Sequence, residues 1–210
     1  GVVRDVPEDA MQKIKDLVHD RLPAKIDEME RFLNQNEVLV ARLTGEKVLS
    51  AEDAVKFSVT GPVLRAAGVP YDIRRADPYS VYDRFAFDVA VRYHGDMMDN
   101  YLIRFDEMRQ SLRILEQALK QIPEGPINSQ KPQYQVRVAA GEAYGRVESP
   151  KGELGFYVVS NGKPNPYRYH VRAPSFINLT ALETMCSDTK IADFVAQVAM
   201  RDILMGEVDR

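Results

Sequence analysis

A long, regular apolar stripe over residues 96–122 constrains the fold of this chain more than any other sequence feature. Apolar and aromatic residues recur there in alternating steps of three and four, which places them on one face of an α-helix. Such a helix is about 40 Å long at a rise of 1.5 Å per residue. Because one apolar face needs partner helices to bury it, the stripe predicts a helical bundle core. Its members are Met98, Tyr101, Phe105, Met108, Leu112, Leu115, Leu119 and Ile122.

Prolines and capping residues predict where this helix and the shorter helices before it begin and end. Asp96 is expected to cap the long helix, which should end at Pro123. An earlier helix is predicted from Pro7 to Phe32, and Pro23 should kink or split it. Two more short helices are expected, one over 36–43 and one after Ser50. A run of Gly-Pro and Pro residues then predicts an ordered loop over 58–80.

The periodicity changes in the last third of the chain. Residues 156–159 and 167–171 are rich in β-forming side chains, and a stretch containing Gly and Pro separates them, which predicts a β-hairpin. A final helix should follow, capped by Ser187 or Thr189. We therefore expect a mainly α (α+β) fold. Its parts are a helical part over 1–125, a β-hairpin region over 126–175, and a C-terminal helix and tail over 176–210.

Asp202 is a candidate functional acid in this last helix. Ile191, Val195 and Val198 share one face, and Asp202 is the next position on that face. Burial disfavours the charged form of a carboxyl group unless a cation or N–H groups hold it. An acid in such a place could donate a proton. A structural ion pair, or an exposed helix end, is the alternative interpretation.

Lys151 is a second candidate, because it lies in a turn of restricted backbone shape. The segment 149–155 contains one proline and two glycines around it, where the predicted hairpin begins. This lysine could face a cavity. It could equally be a solvated loop residue.

Charge and composition exclude several functional classes. Lys and Arg number 28 against 31 Asp and Glu, a net charge of −3, so there is no positive excess for nucleic acid. No uninterrupted apolar stretch approaches the roughly 18 residues of a membrane span, so any membrane association is expected through partners. The three histidines are scattered and Cys186 is alone, which argues against a metal site or a disulfide framework.

Several blocks of the sequence, in order along the whole chain, resemble the 49-kDa family of complex I. Their number and their order argue against a chance similarity. The long helix contributes Arg104, Glu107 and Met108. The remaining blocks are 60–68 (Thr-Gly-Pro-Val-Leu-Arg-Ala-Ala-Gly), 72–74, 78–79, 150–155 (Pro-Lys-Gly-Glu-Leu-Gly), 166–168, 172–176 and the ending 206–210 (Gly-Glu-Val-Asp-Arg).

This resemblance implies a fold related to the large subunit of nickel–iron hydrogenases. In that interpretation the old metal cavity has become a quinone pocket, which faces a partner subunit carrying the terminal iron–sulfur cluster. Hydrogenases bind nickel through cysteine pairs, and the C-terminal segment 205–210 contains no cysteine. We therefore expect no hydrogenase activity, no metal site and no cofactor on the chain itself, with quinone as the substrate.

The same resemblance assigns roles to individual residues. Asp202 would tune protonation of the reduced quinone, and Lys151 would be its electrostatic partner. The wall of the quinone cavity would be formed by Met205, Gly206, Glu207 and Val208. Expected partners are the iron–sulfur subunit and other peripheral-arm and membrane-arm subunits, on the cytoplasmic face of the plasma membrane.

The chain differs from many members of the family in two features. The family's N-terminal half, with the sheet that carries the His and Tyr for the quinone headgroup, is absent, so a truncated chain is expected. The stretch 126–140 is shorter than in many members, as in photosynthetic and archaeal-type relatives, so the electron donor could be NADH, ferredoxin or a deazaflavin.

Two hypotheses follow. The first is a fragment of a proton-pumping NAD(P)H:quinone oxidoreductase, inactive in isolation, that forms part of the quinone cavity. The alternative is a structural or assembly module of a related ferredoxin- or deazaflavin-linked quinone or phenazine oxidoreductase, with no catalytic residue of its own.

Overall fold

The computed structural model describes residues 4–45, 48–127, 137–187 and 189–209. Helices dominate it, and one small antiparallel sheet of order β1-β2-β3 completes the fold. The predicted mainly helical α+β architecture is confirmed. The helices are α1 (Glu8–Asp16), α2 (Leu22–Asn34), α3 (Glu37–Leu43), α4 (Ala51–Lys56), α5 (Pro62–Ala66), α6 (Ile73–Ala76), α7 (Met97–Gln121), α8 (Pro174–Asn178), α9 (Leu182–Cys186), α10 (Ile191–Arg201) and α11 (Met205–Val208); the strands are β1 (Gly141–Ser149), β2 (Gly152–Ser160) and β3 (Arg168–Arg172).

The long helix α7 forms where the stripe predicted it. It packs against α2, α3, α5 and α10. Phe105 and Leu112 of its stripe are buried with Val18 and Ile26 in one of two apolar clusters. The Asp96 side chain caps the helix, since it accepts a hydrogen bond from the Asp99 N–H at 2.7 Å.

Removal of this cap should weaken α7 measurably. We expect Asp96→Ala to lower the free energy of unfolding by about 1–2 kcal/mol, because it leaves a buried helical N–H without its acceptor. Urea unfolding followed by circular dichroism measures the change. Asp96→Asn keeps an acceptor oxygen and should cost clearly less; an Asn variant as unstable as the Ala variant would contradict the capping role.

The earlier helix is split near Pro23, as predicted. A π-helical segment, Leu17–Arg21, separates α1 from α2, and Pro23 occupies the first turn of α2. Proline has no N–H to donate to the preceding turn, so a regular α-helix cannot pass through it undisturbed. Several apolar side chains of this helical segment are exposed. Phe32 is 74% exposed, whereas Val18 and Ile26 are buried.

The prediction of an ordered loop over 58–80 is wrong for two short segments, because α5 and α6 lie within it. Pro62 stands in the first turn of α5, a position where its missing N–H costs nothing. The Asp72 side chain caps α6 by accepting from the Arg74 N–H at 2.9 Å. This segment is central to the other apolar cluster, which comprises Leu49, Ala54, Val59, Val63, Leu64, Ala67, Ala181 and Met185.

The predicted hairpin is confirmed as β2 and β3, but the sequence patterns missed a strand. β1 pairs with β2 along its whole length, from Gly141 opposite Ser160 to Ser149 opposite Gly152. Lys151 therefore lies in the tight turn between β1 and β2, not at the start of an isolated hairpin. Two glycines and two glutamates in β1 obscure its strand character, since these residues are depleted in strands.

The last long helix differs from its prediction at both ends. Neither Ser187 nor Thr189 caps α10; its N-cap residue is Lys190, without a side-chain cap bond. At the other end the helix stops at Arg201. Asp202 is the C-cap residue, in the left-handed conformation with φ 52°.

The buried face of α10 is also different from the predicted one. Ile191 is 84% exposed and Val195 is 61% exposed, whereas Gln197 and Arg201 are buried. Asp202 therefore does not continue a buried apolar stripe, and that argument for a functional acid is wrong. Its surroundings come from other elements.

Candidate functional site

A charged cleft lies between α5, α7, the turn that joins β1 to β2, and Asp202, the residue that follows α10. Its volume is about 400 Å³. Arginine and carboxylate side chains dominate its lining, so we refer to it as the charged cleft. It is lined by Pro62, Arg65, Arg74, Arg104, Glu107, Met108, Ser111, Glu148, Ser149, Pro150 and Asp202.

Two glycines bring the Lys151 turn into direct contact with the start of α5. Gly61 and Gly152 both have positive φ, 74° and 137°. A Cβ on Gly61 would lie 2.5 Å from the Gly152 Cα, and a Cβ on Gly152 would lie 2.5 Å from Thr60 Oγ1. Side chains at these positions cannot fit. The Asn178 amide adds a bond to the Lys151 carbonyl at 3.3 Å, so the turn is held from two sides.

The structure brings Asp202 and Lys151 together. The Lys151 ammonium binds Asp202 Oδ2, and Arg104 Nη1 lies 3.2 Å from the same oxygen. Arg104 also donates to the Met200 carbonyl at 2.9 Å. One carboxylate therefore joins α7, the turn between β1 and β2, and the end of α10. The Lys151 side chain is 17% exposed and that of Asp202 is 46% exposed, so this cluster lies at the edge of the cleft.

Arg104 is a site residue that helical periodicity does not identify. It lies off the apolar stripe of α7, yet it is the residue through which α7 reaches Asp202. Burial lowers the pKa of Arg104, and the nearby Asp202 partly opposes that shift. The signal that could have identified it is its place in the block resembling the 49-kDa family.

Arg65 forms the buried floor of the cleft. Its side chain is only 2% exposed, and it binds Glu107 (Nε to Oε1, 2.6 Å) and Glu148 (Nη1 to Oε1, 2.9 Å). Burial works against its charge, but attraction to Glu107 and then to Glu148 raises the pKa of Arg65 overall. The guanidinium is therefore a permanent positive charge. No sequence pattern had assigned Arg65 a role of its own.

Glu148 is a buried carboxyl group in the cleft. Its side chain is 6% exposed. Burial raises the pKa of Glu148; Arg65 opposes this, and Asp72 adds to it. Asp72 behaves in the opposite way. Although burial works against its charge, hydrogen bonds and attraction from Arg74 lower the pKa of Asp72.

The predicted wall residues of the tail are held elsewhere. Glu207 accepts hydrogen bonds from Ser175 (N–H at 3.2 Å, Oγ at 2.6 Å) and from Ser149 Oγ at 3.4 Å, which fixes α11 onto α8. Met205 is 67% exposed. Met205, Gly206, Glu207 and Val208 are not among the residues that line the charged cleft, so their place in a quinone cavity stays a prediction.

Neither a metal-binding cluster nor a membrane-spanning helix is found among the described residues. Within 4–45, 48–127, 137–187 and 189–209, no three His, Cys, Asp or Glu side chains are grouped so that they could hold a metal ion. In the same part of the chain, no helix combines the length and apolarity needed to cross a membrane.

A family comparison matches the whole chain. The model for "Respiratory-chain NADH dehydrogenase, 49 Kd subunit" matches residues 1–137 and 133–210. The break between the two matches falls within 126–140, the stretch expected to be short. Much of that stretch lies outside the described residues.

Similar proteins and a solved structure agree with this match. An NADH-quinone oxidoreductase D subunit of Roseiflexus sp. (strain RS-1) is 52% identical over 217 residues, covering 100% of this chain and 58% of that protein. One from Herpetosiphon aurantiacus is 53% identical, covering 100% of this chain and 57% of that protein. In a structure of the membrane-bound sulfane sulfur reductase, an archaeal respiratory membrane complex, one chain superposes with a TM-score of 0.92 at 36% identity. That match covers 100% of this chain and 58% of the other.

The chain spans 57–58% of the length of these relatives. Identity above 50% along the full chain, the family match and the superposed fold all agree. This chain belongs to the 49-kDa subunit family of respiratory-chain NADH dehydrogenases.

Proposed function

We propose that this chain forms one wall of the quinone site in a respiratory NADH:quinone oxidoreductase, with the charged cleft facing the reacting end of the quinone. The observation that carries the proposal is the Asp202 carboxylate, shared by Lys151 and Arg104 at the edge of a cleft that also contains Glu148. The proposed reaction, reduction of a quinone, is inferred from the family to which the chain belongs.

The cleft has the charges that such a reaction needs. Reduction of a quinone to a quinol takes up two electrons and two protons, and negative charge develops on the ring oxygens before the protons arrive. Lys151 and Arg104 can stabilise that charge, as preorganised cations do at other anionic transition states. A carboxylic acid nearby can supply the proton. The electrons would come from outside the chain, from an iron–sulfur cluster in a partner subunit.

Asp202 would set the balance between these groups. With its charge present, the ammonium of Lys151 and the guanidinium of Arg104 are partly neutralised and held in place. Protonation of Asp202 would leave the positive charges of Lys151 and Arg104 without this neutralising partner at the edge of the cleft. In this way the carboxylate couples its own proton to the charge on the reduced quinone.

The wider assignments belong to the same proposal. The chain would be part of the peripheral arm of a proton-pumping complex, bound to other subunits at the cytoplasmic face of the membrane and inactive in isolation. Met205 and Val208 would then supply apolar surface to the quinone cavity once the rest of the polypeptide is present.

A structural or assembly module is the second candidate, and one observation favours it. The bonds of Asp202 tie together three elements that are distant in sequence. Glu207 likewise fixes the tail through Ser149 and Ser175. In this interpretation both carboxylates hold the tail in place, and the chemistry lies entirely in other parts of the complex.

Asp202→Asn in the intact complex separates these functions. Asn keeps the shape of the side chain and tolerates the left-handed backbone of residue 202, so the fold should survive. If Asp202 takes part in proton and charge control, we expect quinone reduction per assembled complex to fall by roughly tenfold or more. Steady-state turnover and native-gel quantification of the complex measure the two quantities.

Asp193→Asn is the matched control. Asp193 lies in the first turn of α10, the helix that Asp202 follows, and pairs with Arg42 outside the charged cleft, so turnover of the Asp193→Asn variant should match the wild type. Wild-type turnover in Asp202→Asn would contradict the catalytic proposal. A loss of assembled complex, with normal turnover in what remains, would support the assembly module instead.

A further inference from the structure

The small sheet presents an uncharged, largely apolar face to the outside. Phe156 and every second residue on either side of it in β2 lie on one side of the sheet. The residues of β1 and β3 that pair with them lie on the same side. We call this side the outer face. None of its positions carries a charged residue. Its larger members are Val147, Leu154, Phe156, Val158, Tyr169 and Val171.

The opposite side, the inner face, carries the polar side chains near the Lys151 turn. Arg172 donates to the Glu153 carbonyl at 2.7 Å and to the Ser58 carbonyl at 2.9 Å. Arg146 binds Asp77 at 2.9 Å. The sheet is therefore attached to the rest of the chain through polar bonds.

Near the Lys151 turn this arrangement is the reverse of the usual one. A sheet with one solvated face normally packs its apolar side chains on the core and turns its polar ones to water. Here no apolar side chain of the described strands belongs to either buried cluster. On the outer face Val147 is 40% exposed, Phe156 46% and Tyr169 63%.

A shallow cavity continues the outer face at the end of the sheet far from Lys151. Its volume is about 540 Å³, and most of its lining is apolar. Its lining includes Ala143 and Val158 of the outer face and Val138, Pro164 and Pro166 beside it, together with the charged residues Glu142 and Lys163. A covering segment would therefore find both a flat apolar surface and a recess beside it.

We propose that the outer face packs against the part of the same 49-kDa-type polypeptide that this span does not include. The relatives are longer, and this chain covers 57–58% of them, so about two-fifths of such a polypeptide is available for the contact. Interfaces that never dissociate resemble a core cut in half, and charged residues are depleted from their centres. An uncharged face matches a permanent contact within one polypeptide better than an exchangeable partner.

The inference rests on family membership and not on the quinone proposal. A variant that abolishes or preserves quinone reduction would leave the outer face unchanged. Failure of one proposal therefore does not decide the other.

Site-specific photo-cross-linking in the full-length polypeptide, within its assembled complex, tests the contact. The substitutions are Tyr169→p-benzoylphenylalanine and Phe156→p-benzoylphenylalanine, both on the outer face. His170→p-benzoylphenylalanine is the matched control, because His170 is the next residue of β3 and points to the opposite side. Mass spectrometry of the products identifies the captured segments.

We expect Tyr169 and Phe156 to cross-link to peptides of the same polypeptide outside the span 1–210, with several-fold more product than from His170. Cross-links to a different protein of the complex, or to a second copy of this polypeptide, would overturn the proposal. So would capture only within 1–210, equal capture from His170, or no product at all.

Discussion

Arg65→Met should lower the free energy of unfolding by about 3–5 kcal/mol, the usual cost of leaving buried charges without their partner. Methionine fills a similar volume but removes the cation that binds Glu107 and Glu148. Urea unfolding measures the loss. Arg109→Met is the control, because Arg109 also binds two carboxylates but is 39% exposed, and it should lose less than about 1 kcal/mol. Equal losses in the two variants would show that burial of Arg65 has no special cost.

The loss should also depend on pH. In the wild type, burial raises the pKa of Glu148. At pH values above the ordinary pKa of a carboxyl group, the folded state therefore binds more protons than the unfolded state. This contribution to stability is present at low pH and is lost as the pH rises through the folded pKa of Glu148. Without Arg65 its pKa should rise further. The destabilisation by Arg65→Met should therefore be larger at pH 8 than at pH 5, and a loss that grows toward low pH would contradict it.

Gly152→Ala should have a comparable effect, through the backbone instead of through charge. The new methyl group would meet Thr60 Oγ1 at 2.5 Å and the Thr60 carbonyl carbon at 2.9 Å, on a residue with φ 137°. Backbone strain and overpacking each cost about 1–3 kcal/mol, which predicts a loss of roughly 2–6 kcal/mol. Because the clash displaces the Lys151 turn, quinone reduction by the complex should fall as well.

Gly125→Ala separates these two causes. Gly125 has a similar φ of 124°, but nothing lies within 4 Å of its added Cβ. Its variant should show only the backbone strain and should leave turnover unchanged. If Gly152→Ala and Gly125→Ala lose the same stability, the contact between the turn and Thr60 is not what makes glycine necessary.

Local signals in the sequence predicted the helical part of the fold well. The stripe of α7 and the cap at Asp96 specify an element whose bounds depend only on nearby residues. Pro23 likewise acts on its own turn. The short helices α5 and α6 were missed because their proline and aspartate resemble loop signals when the burial around them is unknown.

Two residues of the site were predictable, but its other members and its geometry were not. The resemblance to the 49-kDa family indicated Asp202 and Lys151, and the structure shows an ion pair between them. The helical argument for Asp202 failed because α10 ends one residue earlier, where a left-handed residue reverses the chain. Arg65 and Glu148 come together across 83 positions, and no periodicity can reveal a pairing made by the packing of separate elements.

The ribbon formed by β1 and β2 separates two surfaces of the chain by its length. Each strand has nine residues, so the ribbon is about 30 Å long at 3.3 Å per residue. Lys151 lies at one tip, where the close approach of Gly61 to Gly152 holds the ribbon against the start of α5. The cavity beside Val158 lies at the other tip. A segment that occupied that cavity would therefore bind far from the charges of the cleft.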